Sequence, residues 1–302
     1  MKKKIFITGG TGLLGSNLAC LLKKKYDVII STHNKSSKIK KIASEKVNLV
    51  SPSEINNFFC RYKPDIVIQA AGLTNINLCE EIPLQAKVQN VDIAKNIAKA
   101  TTEHGSKLIH ISSDHLFSGL KKLVDEGEAF APRNEYARSK CVAEEEVLRI
   151  NPHCLVIRTN FYGWGPDYRK SFSDEIIYSL EKNIEVNLYN DIFYTPILIN
   201  SLAEAMMDLA ELNHSGIFNI VGSERVSKLT FGQKLSKVFK LDDSLIHESS
   251  YFNNELLIKK PRDMSLSNNK VEIILGRKIP TLSSDLELLC ELRNTASYKE
   301  IF

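Results

Sequence analysis

Short apolar runs alternate with amphipathic stretches through the first half of the chain. Lys4-Ile5-Phe6-Ile7 predicts a first strand, Val28-Ile29-Ile30 a second, and Val47-Asn48-Leu49-Val50 a third. Asp65-Ile66-Val67-Ile68 predicts a fourth, Lys107 to Ile111 a fifth, and Leu155-Val156-Ile157 a sixth. Apolar residues recur at helical spacing over Ser16 to Lys25, Ser53 to Tyr62 (with a Ser cap behind Pro52), Pro83 to His104 and Glu135 to Ile150. Strands apolar throughout, separated by helices, predict a parallel sheet covered on both faces. The fold class is therefore α/β, a doubly wound (Rossmann) parallel sheet. After residue 160 the rhythm loosens. Helices are expected over Asn200 to Leu212 and Phe231 to Phe239, and a strand over Ile217 to Val221. Residues 1–160 read as a dinucleotide-binding domain. Residues 161–302 read mainly as a smaller substrate lobe, with part of 194–222 returning to the first domain.

Composition excludes several classes. Of 302 residues, 43% are hydrophobic and 25% charged, ordinary for a globular enzyme. A net charge of +4, with no basic run interleaved with aromatics, gives no reason to expect nucleic acid. No apolar run approaches the ~18 residues of a spanning helix, so no membrane is expected. Only Ile5-Phe6-Ile7 follows the basic start, which is too short for a signal peptide. The six cysteines are scattered without a Cys-x-x-Cys pair, as in a cytoplasmic protein with reduced thiols. The seven histidines lack ligand spacing, so no metal is expected.

Chemistry enters at four places. "FITGGTGLLGSNL" puts Gly9, Gly12 and Gly15 between the first strand and the first helix. Glycine there allows a tight turn and close approach of a pyrophosphate, and the helix N-terminus offers free N–H groups. Thr11, Leu13 and Leu14 belong to the same turn. The second strand ends in Ser31 and Thr32, with Lys35 and Lys38 beyond and no acid to hold a ribose 2′-hydroxyl. That favours NADP(H) and leaves NAD(H) open. At the carboxyl end of the fifth strand stand Ser112, Ser113 and Asp114, where ligands bind in such sheets. Then "EYARSK" places Tyr136 and Lys140 four apart on one helix face. An ammonium near a phenol favours the phenolate, which would tune Tyr136 for proton transfer.

With these residues the chain resembles the extended short-chain dehydrogenase/reductases, and most of all their dTDP-4-dehydrorhamnose reductase group. "PDIVIQAAGLTNINLCEE", "VQN", "SSDHLFSG", "VIRTNFYG", "GIFNIVGSERVS" and "KKPRDMSLSNNK" carry the likeness over nearly the whole chain. The resemblance implies that Ser113 hydrogen-bonds the substrate carbonyl, Tyr136 donates the proton, and Lys140 lowers the tyrosine pKa and holds the nicotinamide ribose. It assigns Ala70, Ala71, Gly72, Asn48, Leu49 and Asn90 to the cofactor side, with the turn residues above. It assigns Thr74, Asp114, His115, Asn160 and Arg262 to the substrate side, Arg262 toward a diphosphate. The chain departs from the group's usual pattern at His115, Asn48 and Lys260-Pro261.

The implied function is reduction of a 4-keto nucleotide sugar in deoxysugar or surface-polysaccharide synthesis. A dehydratase would need Asp-Glu where this chain has Asp114-His115. A nucleotide-sugar 4-epimerase stays open, as does a non-catalytic subunit like the regulatory subunit of methionine adenosyltransferase. The expected partner is a nucleotide-linked sugar, and the sequence leaves the oligomeric state open, a homodimer included. Cys79 reads as packing, "DEGEAF" at 125–130 as a solvated loop or lid, and Tyr162 or Tyr168 as candidate walls of a sugar pocket.

Overall fold

The structure is a computed structural model that describes residues 2–37, 39–251, 260–295 and 300. Lys38 and Lys259, both noted above, lie outside the described residues. β1 (Lys4–Thr8), β2 (Asp27–Thr32), β3 (Ala43–Lys46), β4 (Ile66–Gln69), β5 (Lys107–Ile111) and β6 (Leu155–Arg158) form a parallel sheet with the strand Gly216–Asn219. The order is Gly216–Asn219, β6, β5, β4, β1, β2, β3. The direction of winding reverses between β1 and β4, so a crevice opens beyond their carboxyl ends.

Alternation along each strand sends side chains to two cores. Ile5, Ile7, Ile30 and Ile68 pack with Leu14, Leu18 and Met206 on one face. Phe6, Ile29, Val67 and Leu108 pack with Phe59, Ile97 and Val147 on the other. Both faces are covered by apolar cores, which explains strands without polar alternation. A separate core of Tyr162, Trp164, Ile176, Tyr194, Phe231 and Leu286 builds the second lobe.

The third strand lies earlier than expected, at Ala43–Lys46. Asn48 instead forms a turn, its side chain accepting the Val50 N–H at 3.1 Å, while Val47 and Leu49 are buried from that turn. α1 (Leu13–Leu22) starts three residues before Ser16, at the glycine turn itself. α2 (Pro52–Tyr62) is capped by Ser51, not Ser53, because Pro52 occupies the first helical position. The expected Pro83–His104 helix is present as Pro83–Ala86, a π-helical turn Lys87–Asp92, and Ile93–His104. Such turns are common at functional sites, and this one carries Asn90.

Loop 125–130 is no free lid. The Glu126 carbonyl accepts from Arg158 at 3.1 Å, and its carboxylate accepts the Asn219 N–H at 2.9 Å. The six cysteines are free thiols. Among the described residues no helix is long and apolar enough to cross a membrane, and no cluster of His, Cys, Asp and Glu could hold a metal.

Candidate active site

The glycine turn is built by steric necessity. Gly9 has φ +67°, and its N–H donates to Ser31 Oγ at 3.0 Å. A Cβ on Gly15 would lie 2.3 Å from the Gly9 carbonyl oxygen, so only glycine lets α1 start this close to β1. Gly12 caps α1 without a side chain, leaving the first-turn N–H groups facing the crevice. Across the turn, Thr8 Oγ1 accepts the N–H groups of Ala70 and Ala71 at 3.1 and 3.0 Å.

Asn90 organises the next layer. Its Oδ1 accepts the Leu73 N–H at 2.7 Å, and its Nδ2 donates to the Leu73 carbonyl at 3.0 Å and to Ser139 Oγ at 2.9 Å. It thereby ties loop 70–73 to the helix Glu135–Ile150. That helix starts at Glu135 because Asn134 accepts the Ala137 N–H at 2.8 Å. Tyr136 and Lys140 therefore fall one turn apart on its crevice face.

One cavity of about 650 Å³ is lined by Gly9, Thr11, Gly12, Leu13, Leu14, Gly15, Lys35, Ala70, Ala71, Gly72, Thr74 and Asn90 at one end. Ser113, Asp114, His115, Tyr136, Lys140 and Asn160 line the other. The cavity thus joins the glycine turn to the three proton-transfer candidates. Ser31, Thr32, Asn48, Leu49 and Arg262 do not line it. Ser31 supports the turn from beneath, and Thr32 Oγ1 donates to the Glu45 carbonyl at 3.4 Å. Asn48 and Leu49 belong to the turn after β3. Arg262 Nη2 lies 3.9 Å from Asp191 Oδ2.

The electrostatics differ from the expected tuning. Burial pushes the Tyr136 phenol up to about 12, against a hydrogen bond with Ser113 that lowers it. Lys140 forms no hydrogen bond with the phenol. Its ammonium donates to the Ile111 carbonyl at 2.7 Å, and burial lowers it to about 8, with Glu144 opposing. Burial also lowers His115, whose ring meets Tyr136 edge-on at 5.7 Å. Asp114 receives the Asn160 amide at 2.5 Å. Below this layer Glu144 accepts Ser112 Oγ at 2.8 Å and pairs with Arg158 at 2.6 Å; Arg158 is 2% exposed and Glu144 fully buried.

Further residues join the site to which no motif assigned a role. His33, Asn34, Leu73, Ile76, Thr159, Phe161 and Arg169 also line the cavity. Lys228 approaches from the second lobe, its ammonium 3.3 Å over the Tyr194 ring and lowered by burial to about 7. Tyr162 sits in the second-lobe core and does not line this cavity, whereas Tyr168 lines it beside the glycine turn.

The family model described as the RmlD substrate binding domain matches residues 2–293. A "probable low-salt glycan biosynthesis reductase" of Haloferax volcanii is 28% identical, covering 94% of this chain and 96% of its own. The methionine adenosyltransferase 2 subunit beta of Pongo abelii is 26% identical, covering 92% and 84%. The crystal structure of Bacillus anthracis dTDP-4-dehydrorhamnose reductase in complex with NADP superposes with a TM-score of 0.84 at 23% identity, covering 96% and 99%.

Proposed function

Given that this chain belongs to the RmlD substrate binding domain family and is an oxidoreductase of sugar metabolism, we propose that it reduces a nucleotide-linked 4-keto-6-deoxy sugar with NADPH. The observation that carries this reading is the single cavity running from the glycine turn to Ser113, Tyr136 and Lys140.

The residues present fit a dinucleotide. Gly9, Gly12 and Gly15 leave room at the N-terminus of α1 for a pyrophosphate. Lys35, with no acid at the end of β2 lining the cavity, suits a 2′-phosphate and favours NADP(H) over NAD(H). When bound, that cofactor supplies the hydride for the carbonyl carbon. Ser113 Oγ donates a hydrogen bond to the carbonyl oxygen, fixing its place beside Tyr136. The phenol, held protonated by burial, gives its proton to that oxygen as charge develops. Lys140 holds the strand end through Ile111 and supplies positive charge next to the reacting groups. Asp114, His115 and Asn160 face the sugar.

Asp114 is followed by His115, so the carboxylate pair of a dehydratase is missing. The likeness to the adenosyltransferase beta subunit supports a second reading, a non-catalytic partner. Turnover by the protein purified alone separates the two. Reduction without any added subunit supports the enzyme; NADPH binding without turnover of any 4-keto sugar supports the partner.

A further inference from the structure

The segment from Trp164 to Lys170 leaves the second lobe and passes over the cofactor end of the cavity. Its start is fixed by α1, where Asn17 Nδ2 donates to the Trp164 carbonyl at 2.7 Å. Gly165 N–H donates to Asp174 at 2.8 Å. The next residues then grip both banks of the crevice. Tyr168 Oη donates to the Thr11 carbonyl at 2.7 Å, inside the glycine turn. Arg169 Nη2 donates to Thr74 Oγ1, just past Ala70-Ala71-Gly72. Those banks abut, since a Cβ on Gly9 would lie 3.0 Å from the Ala71 nitrogen.

Arg169 is exposed and lines the cavity. Among the described residues it forms no ion pair, and the Thr74 hydroxyl takes one of its five N–H donors. Lys35 stands 5.3 Å over the Tyr168 ring, so two cations flank the tyrosine. Directly beneath is the N-terminus of α1, where a pyrophosphate belongs. A guanidinium fork matches phosphate oxygens, and its positive charge is not neutralised by a carboxylate.

We propose that Arg169 is a cofactor-binding residue supplied by the second lobe, pairing with the pyrophosphate of the dinucleotide across the crevice. Cofactor binding then fastens the two lobes to each other. The inference rests on the cofactor reading above. It gives Arg169 and Lys35 different jobs, because a pyrophosphate is common to NADPH and NADH while a 2′-phosphate is not.

The test is calorimetric titration of the whole protein with NADPH and with NADH, for wild type, Arg169→Ala, Arg169→Lys and Lys35→Ala. Arg169→Ala is expected to weaken both dinucleotides about tenfold, the scale of one charge-assisted contact. Arg169→Lys recovers part of the loss. Lys35→Ala weakens NADPH alone. Unchanged affinity of Arg169→Ala for both dinucleotides, with wild type binding normally, overturns the inference and leaves the cofactor reading intact. A loss confined to NADPH places Arg169 at the 2′-phosphate and overturns the pyrophosphate assignment. Wild type binding neither dinucleotide overturns both.

Discussion

Lys140 directs its ammonium at the carbonyl oxygen of Ile111, 2.7 Å away, and not at Tyr136. The bond joins the helix Glu135–Ile150 to the end of β5 one residue before Ser112, so it helps set the distance between Tyr136, the proposed proton donor, and Ser113, the serine proposed to orient the carbonyl. It also leaves the phenol under the control of burial. Tyr136 stays protonated far above neutral pH, as a proton donor for reduction must.

The pH dependence follows with a definite sign. Lys140 is lowered to about 8 and Tyr136 raised to about 12. In the proposed mechanism both act in their protonated forms, so the lower value limits. As pH rises through about 8 the ammonium is lost, and kcat/KM for reduction is expected to fall about tenfold per pH unit above that point. A profile flat from pH 7 to 10 would show that the ammonium is not needed.

Glu144 holds up the Lys140 value from one turn further along the helix. Glu144→Gln keeps a hydrogen-bond acceptor for Ser112 but removes the charge. The falling limb of the pH profile is expected to move to lower pH. An unmoved limb would mean that Glu144 acts on packing alone.

The partner of Glu144 supplies a stability prediction. Arg158→Ala leaves a fully buried carboxylate unpaired and is expected to cost roughly 3–5 kcal/mol in denaturant unfolding. Lys121→Ala, at an exposed pair with Glu128, is expected to cost under about 1 kcal/mol. Equal costs would contradict the weight given to burial.

Much of this was legible in the chain. Apolar runs located β1, β2, β4, β5 and β6, because strands buried on both faces must be apolar throughout. Apolar spacing located helix Glu135–Ile150 to the residue, and the structure shows Asn134 capping its start. The third strand was misplaced because Val47 and Leu49 are buried from a turn, and burial rather than pairing explains their side chains. The residues lining one cavity came from the glycine turn, the end of β5 and "EYARSK", each with a local signature. Arg169 and Lys228 had none. Their positions depend on how the second lobe lies over the sheet, through contacts such as Tyr168 to Thr11 across 157 residues.

In the proposed cofactor reading, the choice between NADPH and NADH turns on the residues after β2. Asn34 lines the cavity beside Lys35. Asn34→Asp is nearly isosteric and adds a charge that repels a 2′-phosphate. NADPH affinity is expected to drop about tenfold with NADH affinity kept or improved, read by titration of each. An equal effect on both would move the 2′-position away from this loop.

The proposed carbonyl reduction depends on Tyr136 as the proton donor. The most direct measurement is optical NADPH oxidation by the purified protein over a panel of nucleotide-linked 4-keto-6-deoxy sugars, with Tyr136→Phe beside it. Consumption with at least one sugar is expected, reduced by about a hundredfold or more in the variant while its NADPH affinity stays near wild type. Full activity in Tyr136→Phe, or no consumption with any sugar despite tight NADPH binding, would contradict it.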